Sequence, residues 1–314
     1  MNESPDLGLL ETFYQVAHTG SVAAAARALH RSQPAVSHRL RALREQLGVP
    51  LFERIGRRLA LTDHGRKLRD LAVDLLARAR GVREAVVGEA AGVEGRVAIG
   101  TLPTVTAHLL VPVVAGLLAR HPGVELTFVF DYVPALCERL RAGELGAVIA
   151  IGEATTTGLD AEPLGSVGLV AVMARSGAPA RGSTVRPAEL RRRRLLAWGG
   201  PSDPTFDRAL VFAQRHGLIQ PATPRIPHVE TLRELAAAGA GYAILPGYTV
   251  LRDVKRGRVS AFPLPGLRSP VTLLTRTSQV RTRAAAAVLD ALRALRAELR
   301  AVDRGLAGAG AGDR

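Results

Sequence analysis

Gln33 and Arg41 are a carboxamide and a guanidinium in one short segment that also holds Ser32, Pro34, Ser37 and His38. In the major groove of duplex DNA a glutamine pairs bidentately with adenine and an arginine with guanine. Ser32 and Ser37 suit phosphate or single base contacts. Farther along, Arg54, Arg57 and Arg58 lie at and beside the Ile55-Gly56-Arg57 turn and could grip a phosphate backbone. A second polar set, Thr101, Thr104, Asp131, Tyr132, Ser202 and Tyr248, follows apolar runs in the remainder of the chain. Its chemistry is hydrogen bonding to a small molecule.

Bond-making chemistry finds no support. The eight histidines are dispersed, with no His-Glu-x-x-His and no Cys/His ligand cluster. Walker and Gly-x-Ser-x-Gly motifs are missing, and Gly239-Ala240-Gly241 lacks the third glycine of a dinucleotide fingerprint. The single Cys137 excludes an intramolecular disulfide and a multi-cysteine zinc site, and it reads as a buried structural thiol. The expectation is a protein that is not an enzyme and needs no metal or cofactor.

The elements that must position the first set are legible. Leu7, Leu10, Tyr14 and Ala17 lie at helical spacing, Gly20 stops that helix, and Ser21 caps a short second one through Ala23–Leu29. After a tight turn at His30 and Arg31, Ser32 caps a third helix, Gln33 to Leu47, which ends at Gly48. Val36, Leu40, Leu43 and Leu47 give it an inner face; Pro34, Ser37, His38, Arg41 and Glu45 lie opposite. This is the pattern of a helix-turn-helix, whose recognition helix enters the major groove with its N-terminal residues nearest the bases. Leu51–Arg54 and Arg58–Leu61 then read as a hairpin wing.

Charge agrees with that reading without deciding it. The chain carries a formal +14, and all but two of its 42 basic residues, Lys67 and Lys255, are arginine. From Arg27 to Arg69 eleven basic residues face Glu45, Glu53 and Asp63, a net of +8 over 43 residues. Such a local excess suits phosphates.

Thr62 and Asp63 open a long helix through about residue 90. Along it Leu68, Leu71, Leu75, Ala79, Val82 and Val86 recur in steps of three and four, close to a heptad seam. A dimerisation helix is the preferred reading, and a dimer would offer two recognition helices to two half-sites. From about residue 93, apolar runs such as Arg96–Gly100, Val124–Phe130, Val167–Met173, Val259–Pro263 and Val271–Thr275 alternate with helical patterns. That alternation predicts an α/β fold on mostly parallel sheets. Gly305–Arg314, rich in Gly and Ala, is expected to be disordered.

The segment Phe13…Ala17…Gly20-Ser21…Ala25-Ala26…Leu29…Ser32-Gln33-Pro34-Ala35-Val36-Ser37…Leu43…Leu47-Gly48…Leu51-Phe52-Glu53-Arg54…Leu61-Thr62…Gly65 resembles the signature of LysR-type transcriptional regulators. Arg44 departs from it, standing where the family usually has Glu. The resemblance extends more loosely over Gly95 to about Arg300, through Gly95–Gly100, His121–Leu126, Leu140–Leu145 and Ala238–Pro246, with Gly146 where an Asp is usual.

It implies an α/β chain headed by an all-α winged helix-turn-helix, with an effector domain of two α/β lobes similar to type 2 periplasmic binding proteins. Residues 1–61 would be the DNA-binding head, 62–92 the linker, and 93–300 the effector domain. Lobe one would take 93–164 and 265–300, lobe two 165–264. The implied partners are double-stranded DNA, a small-molecule effector and a second copy or a tetramer of the chain. Between the lobes, free N–H groups at helix N-termini would favour an anionic effector. The N-terminal sequence lacks the basic-then-apolar pattern of a secretory signal, and no long uncharged apolar run stands out. The expectation is therefore a cytoplasmic protein without a membrane partner. A solute-binding transport protein is disfavoured by the DNA-binding head.

Overall fold

The computed structural model describes residues 6–55, 58–87, 92–176, 178–179, 185–200, 203–277 and 282–311. The head comprises α1 (Leu7–Thr19), α2 (Val22–Ala28), α3 (Gln33–Leu47) and an antiparallel hairpin of β1 (Phe52–Ile55) and β2 (Arg58–Leu61). The helix ends follow local chemistry. Asp6 accepts from the N–H groups of Gly8 and Leu9, Ser21 from Ala24, and Ser32 from Ala35. Gly20 and Gly48 end α1 and α3 with φ of 64° and 70°, a left-handed turn that glycine adopts without Cβ strain.

Helix α4 (Asp63–Val87) leaves the wing directly. Thr62 bonds the Pro50 carbonyl and caps Gly65, and at Gly65 the helix approaches so closely that a Cβ would sit 2.1 Å from the Leu51 carbonyl oxygen. Ala72 and Leu76 pack into the head's core with Leu10, Phe13 and Leu43, whereas Leu71, Leu75 and Val82 of the seam face solvent.

The effector domain runs β3 (Gly95–Thr101), α5 (Pro103–Val105), one π-helical turn (Thr106–Leu110), α6 (Val111–Arg120), β4 (Val124–Phe130), α7 (Val133–Arg141), β5 (Ala147–Ile151) and β6 (Leu159–Ala174). It continues through α8 (Pro187–Leu190), β7 (Leu195–Trp198), α9 (Pro204–Arg215), β8 (Arg225–Ile226), α10 (Val229–Ala237), β9 (Tyr242–Pro246) and α11 (Gly247–Lys255). It closes with β10 (Val259–Arg276), α12 (Arg283–Arg293) and α13 (Leu295–Ala311). The strands form one sheet in the order β4-β3-β5-β10-β6-β9-β7-β8. Its flanks are parallel, as alternation predicts, but its middle is not: β10 pairs antiparallel with β5 and β6, and β6 antiparallel with β9. The reason is the return path. β6 and β10 carry the chain out of one lobe and back, so each serves both, with register shifts between Pro263 and Arg268 and between Val271 and Thr272.

Two expectations need correction. Helix α13 extends to Ala311, so the part of Gly305–Arg314 up to that residue is helical; 312–314 lie outside the described residues. Val302 and Leu306 bury themselves, and Gly305 lets the helix lie against Leu251. The helical run Pro103–Arg120 is long and apolar enough, by length and composition alone, to cross a membrane. Here it packs Val105, Leu109, Leu110 and Leu117 into the main core.

Candidate nucleic-acid interface and ligand cleft

In the head, Val36 and Leu43 are fully buried, and Leu40 and Leu47 pack partly against the core. Ser32, Gln33, Pro34, Ser37, His38 and Arg41 are all exposed. Arg39 turns inward instead, donating to the Gly8 carbonyl at 3.3 Å and Thr12 Oγ1 at 3.4 Å, which pins α3 to α1. Phe13 and Phe52, with ring centroids 5.3 Å apart, hold the wing on the same body. Arg54 is exposed on β1; Arg57 lies outside the described residues, as does the side chain of Arg58. Arg44 is exposed, and its carbonyl accepts from Gly48, so the departure from the family pattern leaves the helix end intact.

In the effector domain a cleft of about 570 Å³ opens where four strands hand over to helices. From β3 come Leu102, Pro103, Thr104 and Ala107; from β4, Phe130, Asp131 and Tyr132. On the facing side β7 delivers Trp198, Asp203 and Phe206, and β8 delivers Pro227, His228, Val229 and Glu230. The rings of Trp198 and Phe206 stack 4.4 Å apart at 15° and form an apolar floor. Asp203, 1% exposed, accepts from the N–H groups of Thr205 and Phe206 at 2.9 and 3.3 Å. Burial pushes its carboxyl above the usual carboxylate range, with those backbone bonds opposing. Behind this wall Thr104 Oγ1 and the Tyr248 hydroxyl lie 3.3 Å apart, and His108 Nε2 is 3.5 Å from Glu230 Oε1. Burial lowers the His108 pKa, which favours the neutral imidazole.

The description "LysR substrate binding domain" matches residues 90–297, and "Bacterial regulatory helix-turn-helix protein, lysR family" matches residues 7–66. This chain belongs to the LysR family. A relative in Bordetella bronchiseptica, the HTH-type transcriptional regulator BbuR, is 30% identical and covers 95% of this chain and 91% of its own length. Full-length OxyR from Pseudomonas aeruginosa shares the fold with a TM-score of 0.74 at 23% identity, over 93% of this chain and 95% of its own. Full-length CbnR complexed with its target DNA superposes with a TM-score of 0.53 at 23% identity, over 93% of this chain and 100% of its own.

As a LysR-family member the chain is a DNA-binding transcriptional regulator with a small-molecule effector domain, not an enzyme. In this LysR-type cleft the structure gathers three of the six sequence-predicted contacts: Thr104, Asp131 and Tyr132. Thr101 is a correction. At the last position of β3 it is fully buried, its hydroxyl has no hydrogen-bond partner, and it is not among the residues that line the cleft. Tyr248 is a second correction: it lies one layer back, reaching the wall through Thr104. Ser202 lies outside the described residues. Sequence reasoning missed Asp203, Phe206 and the start of α10. The strand-to-helix junction after β7 points to Ser202, one residue short of Asp203, and the same junction after β8 is the signal that could have found the start of α10.

Proposed function

We propose that α3 reads operator DNA through Gln33 and Arg41, with Ser32, Pro34, Ser37 and His38 beside them and the wing arginines on the phosphates. The cleft between the lobes binds the effector. One observation carries the first half: the residues with base-reading chemistry are exposed on a capped helix whose other face is locked by Val36 and Leu43. Ligand binding changes the relation of the lobes, and the exposed seam of α4 transmits this to the spacing of the two heads in an oligomer. Unequal affinity for two arrangements is what gives a ligand this power. The domain limits that support this reading are a head over 1–61, a linker over 62–92 and an effector domain from 93, with α13 included. The cytoplasm is the compartment that suits such a protein.

Gel shifts and footprints on the promoter beside its own gene test the proposal. Arg41→Ala should cost about 1–3 kcal/mol at one base-pair position. An unchanged sequence preference in that variant removes Arg41 from the groove, and salt-independent, sequence-blind association rejects specific reading altogether.

A further inference from the structure

We infer that the cleft selects an organic cation, an ammonium or guanidinium on an apolar body, rather than the carboxylate that helix N-termini ordinarily favour; this rests on reading the cleft as the effector site. Helix N-termini attract anions because their first N–H groups are unpaired. Here the protein places carboxylates of its own beside three of these helix starts, although only Asp203 caps its helix; α7 and α10 have no side-chain cap bond. Asp203 occupies the N-terminus of α9, and Asp131 Oδ1 takes the Tyr132 N–H at 2.8 Å ahead of α7. Glu230 sits in the first turn of α10, on the cleft wall.

The lining therefore carries three carboxylates, and among its described residues no lysine or arginine. Two nearby guanidinium groups are already paired, one of them with a carboxylate of the cleft. Arg233 bonds the far oxygen of Glu230 at 2.7 Å and also pairs with Asp253, and Arg225 donates to the Trp198 carbonyl. Arg233 offsets part of the Glu230 charge, to which His108, kept toward its neutral form, adds little, and Asp131 and Asp203 face no cationic side chain in the lining. A second anion brought here would meet like charge across apolar walls, where fields are poorly screened. A cation would compensate the buried Asp203 carboxylate, whose raised pKa marks the cost of its present surroundings.

A metal ion is the wrong kind of cation, since among the described residues no three His, Cys, Asp or Glu side chains are placed to hold one. The stacked pair of Trp198 and Phe206, with Tyr132 and Phe130, instead offers apolar area and ring faces. Ring faces attract ammonium and guanidinium groups.

Trp198 is the one tryptophan in the chain, so its emission reports on the cleft. Purified full-length protein is titrated with phenethylamine and agmatine, and in parallel with 3-phenylpropionate and succinate. An amine should bind about tenfold or more tighter than its carboxylate counterpart and shift the Trp198 emission. Asp131→Asn, an exposed position, should weaken the amine several-fold and leave an unchanged melting temperature without ligand. Carboxylates that move the emission while amines do not overturn the charge assignment and leave the cleft as effector site. Failure of both amines to move it also overturns the assignment. Amine binding that leaves the emission unchanged and survives Ala107→Phe, which fills the cleft, overturns both readings together.

Discussion

Helix α3 presents Gln33, Ser37, His38 and Arg41 to solvent amid a local excess of positive charge, whereas the cleft buries Trp198, Asp203 and Phe206 and gathers three carboxylates. The first surface is built from residues within nine positions of one another. The second is drawn from four junctions between Leu102 and Glu230. A chain with a formal charge of +14 thus holds a pocket lined by three acidic side chains and, among the described residues, no lysine or arginine. Total charge speaks for long-range attraction to phosphates, and the chemistry of a site is decided by its lining.

The sharpest way to break this contrast is to unfold one surface and watch the other. Leu43→Ala, in the head's core, should cost about 2–5 kcal/mol and abolish operator binding in gel shifts. Trp198 emission should stay native in that variant, because Leu43 packs with head and linker residues alone. Gly65→Ala should cost about 1–3 kcal/mol by denaturant titration, since the new methyl meets the Leu51 carbonyl and the wing must move. Ser32→Ala should cost about 1 kcal/mol and reduce operator affinity, because the lost cap frays the turn that carries Gln33.

The smallest effect concerns the effector domain. Glu162 is held below the usual carboxylate range chiefly by hydrogen bonds from Arg293, with Arg296 adding to them. A depressed pKa in the folded state contributes stability that is present above the unfolded value and is lost as pH falls through the folded one. Glu162→Gln should therefore flatten the acid limb of the stability curve, read from melting temperatures below about pH 5, and leave operator binding at neutral pH unchanged.

The two regions also differ in how far their sequence disclosed them. Gly20, Ser21, Ser32 and Gly48 act on their own helix ends, so reading them one residue at a time places α1, α2 and α3 correctly. The long strands resist that treatment. Pro263, Pro265, Gly266 and Pro270 split β10 into two apparent runs, and the partly exposed first half of β6, with Asp160, Glu162 and Pro163, does not look like a strand. Both extend because neighbouring strands supply partners that only the assembled sheet provides. The Gly-rich end of α13 is likewise helical through Leu306, which finds its contacts on a distant glycine, Gly247. Asp131 and Tyr132 could be nominated from their own strand end, but Asp203 and Glu230 become neighbours of them only once the two lobes face each other.

Because β6 and β10 are common property of both lobes, the lobes cannot swing freely like a door on a pin. Any opening must twist a two-stranded ribbon, and Arg268 clamps that ribbon to α13 through Ser166 and Asp303. The lobe movement proposed above would therefore be borne as twist along these two shared strands.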